Sequence, residues 1–321
     1  RPGRSAFLCG PADPRVLSTP ATWAYLKISE GCSHECSFCA IPRIKGRYKS
    51  RTTSSILEEA RELAGRGVKE IDLVSQDTTY FGRDRGRREG LAGLLLKLAG
   101  VRGLRWIRFL YGYPEEVTPA LLEAMAEDKV CRYLDLPFQH AAPAVVKGMR
   151  RGFEGRRALA FIESIRRRLP GVSLRTSLIV GFPGEGRREF AALKEFVREA
   201  RFDHLGVFAY SPEAGTPAFA LGDPVTATEK LARQQELMAL QSGVSRELNR
   251  RRVGVRLDVL IEAPAPGRGQ GWTGRARFQA PEVDGRVLVR RRRPGLAAVR
   301  AIERVEIASA GVYDYRGFIV E

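Results

Sequence analysis

No stretch of the 321-residue sequence approaches the ~20 uninterrupted apolar residues that a membrane-spanning helix requires. The longest candidate, Leu91 to Gly100, is too short. Arg1 to Thr19 lacks an apolar core flanked by a cleavage site, so no signal peptide is read there. The first residue is Arg1 rather than Met, which suggests a fragment whose N-terminus lies upstream. No internal repeat is seen, no low-complexity run beyond Arg290–Arg293, and no Ser/His/Asp constellation of the kind that activates a nucleophile. With 44% hydrophobic and 28% charged residues, a disordered tail, a collagen-like rod and a membrane bundle are all excluded. The length suits two domains of roughly 100–200 residues each.

Acidic residues are in the minority: 37 Asp+Glu stand against 54 Lys+Arg, for a formal net charge of +17. That surplus fits a polyanionic partner such as RNA or an RNA-rich particle. It equally fits the Arg-rich composition that GC-rich coding produces. Cysteine is scarce and uneven, with five residues at Cys9, Cys32, Cys36, Cys39 and Cys131. An odd count with three in one cluster does not make a secreted disulfide framework. The expected setting is a reducing cytoplasm in which the cluster does metal chemistry.

Arg1 to Ala21 is rich in Pro, Gly and Arg without periodicity, so residues 1–22 read as a linker. An alternation follows. Strands are expected at Ala24–Ser29, Val68–Ser75, Leu104–Tyr111, Arg132–Leu136, Leu174–Val180 and His204–Tyr210. Helices are expected between them at Thr53–Gly65, Leu91–Ala99, Pro119–Glu127, Gly155–Leu169 and Arg187–Ala200. The first carries Ile56, Leu57, Ala60, Leu63 and Ala64 on one face, and Gly67 suits the positive φ wanted beyond its end. Six strand–helix units imply an α/β fold with a parallel sheet, too few for a closed eight-unit barrel, hence an open partial (β/α) barrel over 23–252. After a long helical stretch, Ala227–Arg251, the pattern changes. Short apolar runs at Val255–Glu262, Gly285–Arg290, Ile302–Ala308 and Tyr315–Val320 alternate with Pro/Gly turns. Residues 253–321 are therefore expected to form a small all-β module, a five-stranded barrel of the OB type.

The chemistry is concentrated in Glu30–Pro42, EGCSHECSFCAIP. Cys32, Cys36 and Cys39 have C-x3-C-x2-C spacing directly after the first strand, at the rim where parallel α/β folds build their sites. Iron–sulfur clusters are held by one Cys thiolate per iron, so three thiolates leave one iron of a four-iron cube open for chemistry. Gly31 lets the chain turn into this loop, whose backbone N–H groups can point at cluster sulfurs. A structural zinc site completed by His34 or Cys131 is the rival reading, although zinc ligands usually come as two separated pairs.

C-x3-C-x2-C with an aromatic, Phe38, before the last Cys resembles the radical S-adenosylmethionine (SAM) superfamily. More narrowly, YLKISEGC, SFCAIP, LVSQDTTYFG, YLDLPFQHA, RTSLIVGFPGE and FAYSPEAGTPA are similar in order and spacing to methylthiotransferases, from about Trp23 onward. The terminal module is similar to the TRAM domain that those enzymes carry. Ile28–Cys32, Ser75–Asp77 and Leu136–His140 resemble the RimO-type branch, which methylthiolates an aspartate β-carbon of small-subunit ribosomal protein twelve. The MiaB-type, tRNA-modifying branch is the alternative; it typically has Gln-Ser where Gln139-His140 stand here.

The resemblance implies a 4Fe-4S cluster on the three cysteines, with the open iron chelating SAM. It also implies a second cluster in a further N-terminal domain, an electron donor, and RNA contact through the TRAM domain. No membrane partner is implied. Phe38, Gln76, Asp77, Gln139, Arg175, Gly181 and Tyr210 are the expected SAM contacts: polar groups after the second and fourth strands, a guanidinium for the SAM carboxylate, a glycine near adenine and a ring for the purine. For each, a loop cap or rim hydrogen bond is the plainer alternative. His140 is expected to orient a loop, His34 to be exposed, Cys131 to be a small buried group and Cys9 to be incidental. The all-β module has twelve Arg, no Lys and eight acidic residues, and an Arg-rich hairpin, Arg290–Arg293 with Arg300, stands ready either for phosphates or for solvent. Only Cys9 precedes the motif, so this stretch alone is expected to cleave SAM without completing sulfur insertion. A non-catalytic RNA-binding protein with a metal-stapled loop is the third functional class.

Overall fold

The computed structural model describes residues 8, 10–86, 90–265, 271–291 and 301–320. Six parallel strands run β1 Trp23–Lys27, β2 Glu70–Val74, β3 Trp106–Phe109, β4 Tyr133–Asp135, β5 Ser173–Val180 and β6 His204–Ala209. They pair in chain order as two three-stranded halves, β1-β2-β3 and β4-β5-β6. A parallel bridge between Ile107 and Val130 joins the halves. Among the described residues β6 does not pair with β1, so the barrel is open.

Helices α1 Thr53–Gly65, α2 Gly90–Ala99, α3 Pro119–Ala124, α4 Gly155–Arg168, α5 Arg187–Ala200 and α6 Ala227–Arg250 cover the outside. Local chemistry sets their starts. Thr52, Thr118 and Thr226 accept N–H groups of the first turns of α1, α3 and α6, and Pro119 occupies the position where no N–H is needed. Gly67 has φ 97°, as the sequence led us to expect beyond α1. The apolar stripes, such as Ile56, Ala60 and Leu63 of α1 and Leu193, Phe196 and Val197 of α5, close on the sheet in one core.

The C-terminal residues form a closed five-stranded barrel from β7 Arg256–Pro264, β8 Trp272–Ala276, β9 Val287–Arg291, β10 Ile302–Ala310 and β11 Tyr315–Ile319, in the order β8-β9-β11-β10-β7. The expected runs supplied four of these strands. The fifth, β8, is short and glycine-flanked, and its register shifts at Thr273/Gly274. A Cβ on Gly274 would meet the Leu260 carbonyl at 2.2 Å, so the strand needs glycine where propensity reads a break.

The two barrels are joined through charge. Glu70, Asp72 and Arg108 have no exposed surface and lie where an eight-stranded barrel would stack Val, Ile and Leu. Arg275, carried by β8, places Nη2 2.6 Å from Glu70 Oε2, and Arg108 donates to the Arg277 carbonyl at 3.0 Å. The segment 276–284 thus closes one end of the parallel barrel. Cys131 is buried there, beside Trp23, Trp106, Tyr133 and Ala280, as the small packing group expected.

Candidate cofactor site

The opposite end of the parallel strands opens on a cavity of about 400 Å³. Cys32, Cys36 and Cys39 all line it, with Phe38, Gln76, Asp77 and Gln139 from the expected set. The loop that carries the cysteines is pinned at both ends. Gly31 has φ 76°, and a Cβ there would meet the Arg47 and Gly46 carbonyl oxygens at 2.5 and 2.6 Å. Cys32 N–H donates to the Gly46 carbonyl at 3.1 Å. Buried Ser37 donates through Oγ to the Gly148 carbonyl at 2.7 Å. Replacing Gly31 by Ala is therefore expected to displace the loop and to at least halve the iron and acid-labile sulfide recovered per chain, with the fold retained by circular dichroism.

Burial pushes the Cys32 thiol up to about 11 and raises that of Cys39, while backbone hydrogen bonds from His34 and Ile41 act in the opposite direction. Such desolvated sulfurs become thiolates when a positively charged metal group repays the cost. Among the described residues no three His, Cys, Asp or Glu side chains gather around one point as ligands of a single ion. Of the two proposed fourth zinc ligands, Cys131 is at the other end of the barrel, whereas His34 lines the same cavity as the three cysteines.

His34 is not the exposed residue expected. Its Nε2 is 2.5 Å from Asp77 Oδ2, and its ring stacks on Tyr113 at 3.7 Å between centroids. Asp77 Oδ1 accepts the N–H groups of Thr79 and Tyr80, so this carboxylate both caps its loop and faces the cavity. Gln139 holds φ 68°, and its backbone bridges Leu178 on β5. His140 orients this loop as expected: Nδ1 accepts the Ala142 N–H at 3.0 Å, and Nε2 is 3.3 Å from Glu185.

Three expected contacts do not line the cavity. Arg175 faces Asp135 and Asp284, at 3.5 and 3.3 Å, in the layer beneath. Gly181 gives its room to Lys230, whose Cγ would lie 2.4 Å from an added Cβ. Tyr210 packs on Phe182 and donates to the Ala218 carbonyl at 3.2 Å.

The sequence reading also missed part of the lining: Tyr111, Gly112, Tyr113, Asp135, Arg151, Ile179 and Phe208. All but Arg151 lie on strands or directly after them, where the strand-end rule could have found them. Arg151 follows the short helix Pro143–Gly148 and had no such signal. Its Nη1 is 3.5 Å from Cys36 Sγ, Nη2 donates to the Pro137 carbonyl at 2.7 Å, and the guanidinium covers Tyr113 at 3.9 Å.

Residues 26–197 match the family model of the radical SAM superfamily, and residues 253–320 match that of the TRAM domain. Among curated relatives, a ribosomal protein uS12 methylthiotransferase RimO of Aquifex aeolicus is 47% identical over 94% of this chain and 70% of its own length. The chain belongs to the RimO family of radical SAM proteins. The protein of the same name from Koribacter versatilis is 47% identical over 86% of this chain but only 55% of its own length. That of Heliobacterium modesticaldum is 44% identical over 99% of this chain and 68% of its own. The chain thus spans about half to 70% of these relatives. Solved structures share the fold: the radical SAM methyltransferase TsrM from Kitasatospora setae (TM-score 0.52, 16% identity, 77% of this chain and 43% of that one) and coproporphyrinogen III oxidase HemN from Escherichia coli (TM-score 0.51, 22% identity, 70% and 53%). Radical SAM membership implies a 4Fe-4S cluster and SAM, and the three thiols around the cavity fit that cluster.

Proposed function

We propose that this chain is the SAM-cleaving and RNA-facing part of an enzyme that methylthiolates the β-carbon of an aspartate in ribosomal protein uS12. It is divided into a segment 1–22, a SAM domain 23–252 and a TRAM domain 253–321. The observation that carries the chemistry is the C-x3-C-x2-C loop opening onto the cavity at the common end of six parallel strands. The names of the relatives favour the ribosomal protein over tRNA as substrate. A substrate on the ribosome would place its action in the cytoplasm, and no described helix is long and apolar enough to cross a membrane.

Cys32, Cys36 and Cys39 would hold three irons. When bound, such a cluster would supply the electron for reductive cleavage of SAM, the chemistry that would start hydrogen-atom abstraction. Gln76, Asp77 and Gln139 offer donors and acceptors along the cavity wall to orient SAM. Phe38, Ile179 and Phe208 give the apolar part of that wall. Arg151 points a charged donor at the Cys36 sulfur, which favours the more negative, reduced state. Arg151→Met is expected to lower the reduction potential of the cluster in a redox titration followed by EPR, leaving iron content intact. Hydrogen-atom transfer needs no general base, so the lack of a catalytic triad is no obstacle.

Intact mass of uS12 from cells with and without the full-length protein tests the substrate. A methylthio increment lost on deletion is expected. An unchanged mass, with a methylthio nucleoside missing from tRNA, would move the substrate to tRNA. The 321-residue chain by itself, loaded with iron and sulfide, is expected to form 5′-deoxyadenosine but no methylthiolated product. Of the Arg-rich hairpin, Arg290 is exposed on β9 and Arg291 covers Trp272 at 5.6 Å, while Arg292, Arg293 and Arg300 lie outside the described residues. If these arginines meet ribosomal RNA, affinity should fall steeply with salt.

A further inference from the structure

We infer that Asp284, carried by the C-terminal β barrel, is a positioning residue for the cavity built on the parallel strands. The inference rests on the reading that this cavity takes SAM. Asp284 lies in the segment between β8 and β9 and gathers three strands of the other domain. Its Oδ2 accepts the Tyr133 hydroxyl at 2.7 Å, as well as the Ala280 N–H. Its Oδ1 is 3.3 Å from Arg175 Nη1 and 3.3 Å from His204 Nδ1. These partners stand on β4, β5 and β6, the half of the open barrel that has no closing pair with β1.

From Arg175 the contact continues to the cavity. Arg175 Nε is 3.5 Å from Asp135 Oδ1, and Asp135 is part of the lining. The other oxygen of Asp135 accepts the Tyr111 N–H at 3.1 Å, and its backbone carbonyl accepts the Gly112 N–H at 2.9 Å. Tyr111 and Gly112 also line the cavity, and Tyr111 holds φ 61°. A non-glycine residue keeps that conformation only where its surroundings fix it. Here the fixing group is a buried carboxylate, whose Oδ1 has no hydrogen bond and only the charge of a guanidinium, itself pinned from the other domain, beside it. A long side chain such as Arg175 has many rotamers to choose from, and two carboxylates restrict it more than one does. Asp284 touches neither SAM nor the cysteines; its part is to hold Arg175, hence Asp135, hence the Tyr111–Gly112 wall.

The test is Asp284→Asn in the full chain, beside Arg175→Lys, with Arg277→Met as control. Arg277 belongs to the same segment and donates to the Val130 carbonyl at 3.1 Å, but it does not face the cavity. Hydrogen exchange at the Tyr111 and Gly112 amides is expected to quicken about tenfold in Asp284→Asn and Arg175→Lys and to stay unchanged in Arg277→Met. The dissociation constant for SAM of the cluster-loaded chain is expected to rise about fivefold in the same two variants. Unchanged exchange at both amides, or equal quickening in Arg277→Met, overturns the inference. Should Asp284→Asn fail to fold, Arg175→Lys decides by the same two amides. If the wild-type chain binds no SAM, the cofactor reading falls, and the exchange arm still decides whether Asp284 positions the wall.

Discussion

Cys36→Ala is expected to abolish reductive SAM cleavage, with 5′-deoxyadenosine formation falling by roughly 10³-fold or more. Losses of outer-shell partners alone run about 10–100-fold in metal affinity or activity. A directly ligating thiolate is a larger loss, and on the proposed cluster Cys36 would be one of only three for four irons. The Cys36 sulfur also accepts the hydrogen bond of Arg151, so the substitution leaves that guanidinium facing an empty wall. Cys131→Ala is the control, because Cys131 is buried among Trp23, Trp106 and Tyr133 at the other end of the barrel. Iron, acid-labile sulfide and 5′-deoxyadenosine should all disappear with Cys36 and all persist without Cys131. Cleavage near the wild-type rate in Cys36→Ala would show that this loop holds no catalytic cluster.

The cysteine loop was legible as part of the cavity because its information is local: three thiols within eight residues, after a strand, need no tertiary knowledge to suggest a metal group. The parallel strands were legible for a similar reason, since the change between strand and helix periods is written residue by residue. Strand β8 was not, because Gly271 and Gly274 answer to the close approach of β7 and β9, a demand made by residues far along the chain. The expected SAM contacts divided on the same principle. Position after a strand placed Gln76, Asp77 and Gln139 on the cavity, whereas nothing in the sequence says which way Arg175 or Tyr210 points. Arg175 turned toward a carboxylate 109 residues away, and Gly181 proved to accommodate Lys230 from α6. Arg151 reaches Cys36 across 115 residues, a contact that no local pattern encodes.

Arg108→Met should be the most destabilising single change in the layer between the two barrels, costing about 3–5 kcal/mol as a broken buried ion pair does. Arg108 has no exposed surface. Its Nε and Nη2 both lie 3.0 Å from Glu70 Oε1, while Arg275 takes Oε2 at 2.6 Å. Glu70 is buried, which alone would raise its pKa, but Arg275 and Arg108 together bring it below the ordinary value of 4.5. A carboxyl whose folded pKa is lowered contributes stability above its unfolded value and loses it as pH falls through the folded one. The cost of Arg108→Met, measured by urea unfolding, should therefore be full at neutral pH and shrink below about pH 4.5. Asp72 behaves in the opposite way. Burial and the neighbouring Glu70 charge push its pKa well above 3.8, and although Arg108 Nε is 3.2 Å away, neither oxygen accepts an aligned hydrogen bond. Its folded carboxyl holds a proton more firmly than the unfolded one, so its burial costs stability as pH rises above 3.8; Asp72→Asn should be neutral or stabilising there, with the gain vanishing as pH falls to 3.8. Pairing Arg108→Met with Glu70→Gln removes the stranded charge along with its partner, so the double variant should lose less than the sum of the single losses. Additive losses, or a strongly destabilising Asp72→Asn, would mean that Glu70 and Asp72 share the charge in some other way and that the joint between the barrels does not depend on the Glu70–Arg108–Arg275 arrangement.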